Sequence, residues 1–432
     1  MVKKIQLLFL ILVAFNPHKL MAQRNLNDFI RIATTNAPML KTNILQSKAN
    51  EIETKRILAG LTKPLVTAQM DYMMAPVYAN DADNRGIKIN PSKSITDYYG
   101  LDFSATNGGL YKGVLTLDQP LFNKKRIDMA QQQMKIQNEL LGNSSILAVH
   151  DIEKLITDQY ILCLQDIGQR EAMRHTSEIT QQQIAIVQKL STSGLSRLSD
   201  AKLLTIELSQ QQTAIKTLQN SYQVHLLELY SLCGITKTDI VELDPLAIEI
   251  HNPPKVDSSG FIKQYKLDSL NLETNRKLFN LQYLPTVSLY STAGLYADYL
   301  SDIPKRFGML IGIRFTQKIF DGNQRKLNDE KLRVLQEATT INSNFFKSKN
   351  ENRKKAFMEL INSQQEQITS IDRQINEYEE LLKYYQKQIA AGQGSVIEYL
   401  TTLRSNTALL NNRVSLHTAR LWTINNYNYW NW

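Results

Sequence analysis

The chain has 432 residues, 43% hydrophobic and 8% aromatic, with two cysteines. That composition buries a sizeable core and excludes a disordered chain, a collagen-like fibre and a small disulfide-stapled domain. Lysine and arginine exceed aspartate and glutamate by 50 − 41 = 9, a modest excess for this length that argues against a nucleic-acid partner.

Residues 1–22 read as a secretory signal peptide. Lys3 and Lys4 precede the apolar run Ile5 to Phe15, and Ala22 supplies the small residue before cleavage. The run is shorter than the roughly 20 apolar residues of a membrane-spanning helix. A helix is expected from Leu26 to Leu61, then a strand over about 64–75. That strand puts Val66, Ala68, Met70, Tyr72 and Met74 on one face and Thr67, Gln69 and Asp71 on the other. Ala75 to Asp97, rich in Asn, Asp, Pro and Gly, reads as a loop. The strand over about 109–122 alternates in the same way, Tyr111, Leu115 and Leu117 opposing Lys112, Thr116 and Asp118.

Between Asn123 and Ser193 no proline interrupts the chain. At 1.5 Å per residue this predicts a helix roughly 100 Å long. Gly194 reverses it and Leu195 to Leu232 returns. Residues 234–258, with Pro245, Pro253 and Pro254, read as a linker. The order then recurs: a helix from Phe261 to Leu284, strands over about 285–297 and 307–320, and a proline-free helix from Asp321 to Ala391. A turn at Gly392 and Gly394 and a returning helix, Gln393 to Asn428, complete it. Val287, Leu289, Ala293 and Leu295 oppose Thr286, Ser288, Tyr290 and Thr292, while Met309, Ile311, Ile313 and Phe315 oppose Gly312, Arg314 and Thr316. In the last long helix Ile368, Ile371, Ile375, Tyr378, Leu382, Tyr385 and Ile389 step by three and four, a heptad seam that pairs with another helix.

The recurrence is an internal repeat, 23–233 and 259–432. Gly113 to Phe122 (GVLTLDQPLF) aligns with Ile311 to Phe320 (IGIRFTQKIF) at an offset of 198, and Gln188-Lys189 with Gly194 aligns with Gln386-Lys387 and Gly392 at the same offset. Pro64 and Pro285 align at 221, which locates the extra residues of the first half near 75–97. Period-two strands have one wet and one apolar face, as in any antiparallel sheet packed on a core. Here each strand is about ten residues long, the length of a tilted membrane strand, and few other strand candidates exist to cover the apolar face. Four strands cannot close a barrel, and an open sheet in lipid leaves unpaired backbone groups. The chain must therefore oligomerise; three copies supply 12 strands. The uncharged Gln triplets 131–133, 181–183 and 210–212 suit a water-filled tube wall as well as any solvated helix face.

With Asn36-Ala-Pro38 in the first helix, a strand ending Gln119-Pro-Leu-Phe122, and tip segments beginning at Gly194 and Gly392, in this order and duplicated, the chain resembles the TolC-type outer membrane efflux proteins over nearly its whole mature length. The resemblance implies a mixed α and β membrane protein, a homotrimer whose 12-stranded β-barrel continues into a periplasmic α-helical tunnel. It implies a passive, non-enzymatic exit duct for efflux or type I secretion. Its expected partners are a periplasmic adaptor, an inner membrane transporter of RND, ABC or MFS type, and outer membrane lipid. Val66, Met70, Tyr72, Leu115, Leu117, Val287, Leu289, Ile313 and Phe315 are then expected to face lipid. Gly194, Leu195, Ser196 and Leu198, with Gly392, Gly394, Ser395 and Val396, are expected at the adaptor contact.

In the family an acidic residue follows the turn glycine by six positions. Here these are Asp200 and Glu398, an expected ring of negative charge at the periplasmic aperture, equally readable as solvated charge at a hairpin tip. The sequence has Leu203 and Thr401 where a second acid often follows, and Ile389 and Gly394 where some relatives carry tyrosine and arginine. The six histidines show no metal-ligand spacing, and neither a phosphate-binding loop nor a dinucleotide fingerprint occurs; no cofactor or metal is expected. Cys163 and Cys233 fall about 8 residues out of level in an antiparallel hairpin, too far for a disulfide. The aromatic end, Trp422 to Trp432, reads as helix-end packing, an interface or an assembly signal. A different class remains open on the same residues: a periplasmic coiled-coil adaptor or scaffold without its own pore, whose strands are core strands.

Overall fold

The structure is a computed structural model and describes residues 25–82, 85–89, 97–100, 109–236, 239–252 and 259–432. The expected signal peptide, Asp83 and Asn84, residues 90–96 of the insertion and residues 253–258 of the linker lie outside them. The elements are α1 (Leu26–Asn36), α2 (Pro38–Thr62), β1 (Leu65–Met74), β2 (Val77–Ala79), β3 (Gly86–Lys88), β4 (Tyr98–Tyr99), β5 (Gly109–Leu121), α3 (Lys124–Thr192) and α4 (Leu198–Cys233). They continue with α5 (Gly260–Asn280), β6 (Thr286–Ala297), β7 (Phe307–Thr316), α6 (Gln324–Ala390) and α7 (Val396–Trp430). Two compact units share them: Leu45–Gly142 with Gln264–Ile341, and the chain up to Ile44 with Asn143–Lys263 and Asn342–Trp432. Each takes segments from both halves of the sequence.

The first unit holds a four-stranded antiparallel sheet in the order β1-β5-β6-β7. Its last strand stops at Thr316, four residues short of the expected 320. Thr316 pairs with Thr286, the first residue of β6. Upstream of it Pro285 has no N–H to donate and Leu281–Tyr283 turn as a 3₁₀ segment, so residues 317–320 have no neighbouring strand. β5 has partners on both sides and reaches Leu121. The insertion is not the plain loop its composition suggests: β2 pairs with both β3 and β4 in a small second sheet. Strands of two or three residues carry too little periodicity to be read from sequence.

The helix expected over 26–61 is two helices. Pro38 disfavours the helical region for the residue before it, and Ala37 sits at φ −51°, ψ 117°. The Asn36 amide donates to the Cys233 carbonyl at 2.9 Å, tying this break to the C-terminus of α4. The long helices contain 69 and 67 residues, and the heptad seam is buried at Ile368, Ile371, Ile375, Leu382 and Ile389, continuing upstream through Gln364 and Ile361.

Within the helical unit one core gathers Phe29, Ile156, Tyr160, Leu226, Leu229 and both cysteines. The cysteines are free, and burial pushes each thiol up to about 12. The linker is bound along this core: the hydroxyls of Tyr160 and Tyr230 donate to the carbonyls of Asp244 and Asp239 at 2.7 Å, and Tyr222 donates to Val241. Further along, Asn428 and Asn431 bracket Glu249 and His251. The aromatic end packs at the helix end. The His150 ring stacks against Tyr429 and Trp432, with centroids 4.6 and 4.0 Å away, and Phe261 closes the cluster. Burial lowers the His150 pKa, and its hydrogen bond to the Tyr429 carbonyl opposes that shift.

Candidate functional site

The strand register decides which residues share a face. Val66 lies beside Leu117, and Ala68 beside Leu115, which lies beside Ala293. Leu121 pairs with Val287, which pairs with Phe315; Gln119 pairs with Leu289, which pairs with Ile313. Met70 and Tyr72 continue the face of Val66 along β1, so all nine residues expected to face lipid fall on one face. That face is exposed: Met70 is 88% and Ile313 72% accessible. Val287 alone of the nine is half-buried.

The opposite face is wet and internally paired. Lys112 meets Asp71 at 3.2 Å and Arg314 meets Asp118 at 2.9 Å, each across strands. The Arg314 guanidinium lies 4.7 Å above the Tyr290 ring, and the Thr116 and Thr292 hydroxyls stand 3.3 Å apart. Cross-strand pairs of this kind stabilise a sheet by tenths of a kcal/mol each. They also satisfy the charges without any neighbour across the sheet. Such a face suits water, while its reverse is apolar except at Gln119 and Ser291.

At the other site, both long helices end in the same turn. Gly194 and Gly392 share φ 73°, the left-handed conformation that costs glycine nothing. Leu195 N–H donates back to Leu190 and Gln393 N–H back to Gln388, each at six residues' span and 198 positions apart. Both turns line one cleft of about 270 Å³, in which Gly194, Ser196 and Asp200 meet Gly392 and Gly394. Beneath it, Ile184, Leu204, Leu382, Ile389, Tyr399 and Leu403 form a core drawn from all four hairpin helices.

Asp200 accepts from the Ser196 hydroxyl at 3.2 Å and from the Arg197 N–H at 3.4 Å, capping its own helix. At the equivalent point the Ser395 hydroxyl caps Glu398 N–H at 3.3 Å and leaves the Glu398 carboxylate exposed, outside the cleft. The two turns differ in one respect that bears on docking. Leu195 and Leu198 are exposed, Leu198 by 69%, whereas Val396, equivalent to Leu198, is 4% exposed. Val396 is part of the core beneath the cleft. Its turn folds inward because Gly394 packs on the Ile389 backbone, where an added Cβ would come within 2.6 Å.

Residues that sequence reasoning passed over stand where the strands end. Phe122 and Phe320 are 86% and 84% exposed and Ile319 projects beside Phe320; the 198-residue offset that aligns the two phenylalanines was their available signal. Among the described residues no helix is long and apolar enough to cross a membrane, and no three metal-ligating side chains come together.

A two-faced sheet joined in one chain to paired, duplicated helical hairpins defines the fold of the outer membrane channels, as the resemblance to TolC-type proteins implied. The outer membrane protein VceC of Vibrio cholerae matches over 94% of this chain and 96% of its own, at TM-score 0.68 and 12% identity. The CmeC outer membrane channel of Campylobacter jejuni matches over 94% and 85%, at 0.65 and 14%. The open state of the Neisseria gonorrhoeae MtrE outer membrane channel matches over 94% and 88%, at 0.64 and 12%. No family profile matches the sequence, and no curated protein does; the likeness is one of fold.

Proposed function

We propose that the protein is a passive outer membrane channel-tunnel, the exit duct for substrates handed over by an inner membrane transporter through a periplasmic adaptor. The observation that carries this reading is the sheet: an exposed apolar face backed by a wet face whose charges pair among themselves. A soluble protein would have to cover such a face, and lipid covers it without a partner. Sheet edges at β1 and β7 call for other copies of the chain, three giving a 12-stranded barrel. Apolar side chains left exposed on the helices, Ile44, Leu45 and Ile52 on α2 with Leu327, Val334, Ile341 and Phe345 on α6, support the same oligomer.

In this reading the nine apolar strand residues meet lipid and the chain is exported by its signal peptide. The tip turns, through Leu195, Ser196 and Leu198 with Gly392 and Ser395, meet the adaptor. Asp200 and Glu398 of three copies set the charge at the aperture. The energy for transport comes from the transporter. Single-channel conductance in planar bilayers, with the mass in detergent measured alongside, tests the proposal. A conducting trimer is expected, with cation preference reduced by Asp200→Ala and Glu398→Ala together. A protein that stays in water as a monomer and never conducts would overturn it in favour of a periplasmic scaffold.

A further inference from the structure

Where β5 and β7 give way to helices, the sheet-bearing unit has a cavity of about 530 Å³. Lys125, Arg276, Lys277 and Arg325 converge on it from the starts of α3 and α6 and the end of α5. Lys277 is paired with Glu273 at 2.7 Å. Arg325 donates to Asn280 at 3.0 Å and lies 5.3 Å above the Tyr283 ring. Lys125 and Arg276 have no carboxylate within 4.0 Å among the described residues, and one carboxylate in the lining, Asp128, leaves the site with an excess of positive charge. Its floor is apolar, made by Met129, Leu281 and Leu284. The floor is held by Arg126, whose guanidinium donates to the carbonyls of Leu281 and Leu284 at 3.2 and 2.9 Å.

The position supplies the second half of the inference. Lys125 follows the exposed Phe122 by three residues and Arg325 follows the exposed Phe320 by five. Aromatic side chains at strand ends mark the edge of a bilayer, and basic groups just beyond it meet its headgroups. An apolar floor beneath fixed cations matches a molecule with a phosphate head and an acyl stem.

We propose that this cavity is a binding site for the headgroup of an anionic phospholipid, seated where the sheet's apolar face ends on the helix side. The proposal rests on the membrane reading given above. Phosphate oxygens would be met by Lys125, Arg276 and Arg325, and the glycerol and first methylenes by Met129, Leu281 and Leu284. The site would pin the membrane boundary at the junction of strand and helix.

Native mass spectrometry of the detergent-purified oligomer, titrated with phosphatidylglycerol or phosphatidylcholine, tests it, and planar-bilayer conductance of the same preparations is the control. The expected result is retention of phosphatidylglycerol in preference to phosphatidylcholine. Preference should fall about fivefold for Lys125→Gln or Arg276→Gln, and about twentyfold for the pair, with conductance kept. Conducting protein with no preference for the anionic lipid, or with equal preference in wild type and the double variant, overturns the site and leaves the membrane reading intact. Displacement of phosphatidylglycerol by millimolar glycerol 3-phosphate alone would overturn the lipid as occupant in favour of a soluble phosphate. Protein that neither conducts nor enters bilayers overturns both readings.

Discussion

In the sheet, Met70 and Ile313 stand almost free of protein contact; at the hairpin tips Tyr399 and Leu204 are fully enclosed. The two regions use the same kinds of residue with opposite sense. At the tips the helices pack on one another, so their apolar stripes turn inward. The strands instead put their ion pairs, Asp71 with Lys112 and Asp118 with Arg314, on the face away from their apolar side. The contrast is one of direction: the apolar core at the tips is enclosed by its own helices, and the apolar face of the sheet is left uncovered.

The largest effect should come from reversing the sheet. Met70→Arg, midway along β1, places a charge on the apolar face at a cost of about 2–4 kcal/mol per copy, and Ile313→Arg, nearer the helix-side end of the sheet, a smaller one. Loss of heat-stable oligomer from membranes is expected, read by semi-native electrophoresis, while Arg314→Ile, one residue along on the wet face, should still assemble. Equal outcomes for Ile313→Arg and Arg314→Ile would erase the contrast.

Next comes the helical core. Tyr399→Ala should cost about 3–5 kcal/mol in denaturant unfolding followed by circular dichroism. Leu198→Ala, four residues beyond Gly194 and exposed, should stay within about 0.5 kcal/mol. Comparable losses would mean that Leu198 is enclosed as Tyr399 is.

Acid should weaken the helical unit. Burial lowers the pKa of both His150 and His417, and Arg413 and Arg420 add to the shift at His417. The folded state therefore resists protonation that the unfolded chain accepts near its ordinary value of about 6.5. Stability holds above that pH and falls as pH drops below it, until the folded-state values are passed. Melting temperatures between pH 8 and 5 check this, and His150→Gln should flatten the slope. A modest change is expected from Asp200→Ala, which removes a cap worth about 1 kcal/mol and should lower the melting temperature by a few degrees at most.

Much of this was legible in the sequence, and the legible parts share a cause. Alternation in a strand and heptad spacing in a helix are local rules of side-chain direction, so the two faces of the sheet and the seam from Ile368 to Ile389 followed from residue order. So did the turns at Gly194 and Gly392, because a left-handed residue is a demand on a single position. The split at Ala37 was available in Pro38 and was overridden by the apolar pattern around it. Val396 was not legible: its spacing after the turn is that of Leu198, and only Gly394 settling on Ile389 decides that one is enclosed and the other exposed.

What the sequence determined by itself, then, is periodicity, length and punctuation: which faces exist, how far the helices run, where they reverse, and that the pattern occurs twice. Only the tertiary structure decided where β7 stops, how Tyr160, Tyr222 and Tyr230 bind the linker, and that cations on α3, α5 and α6 surround one cavity. Those outcomes depend on groups far apart in the chain finding or lacking a partner, and residue spacing carries no record of the partner.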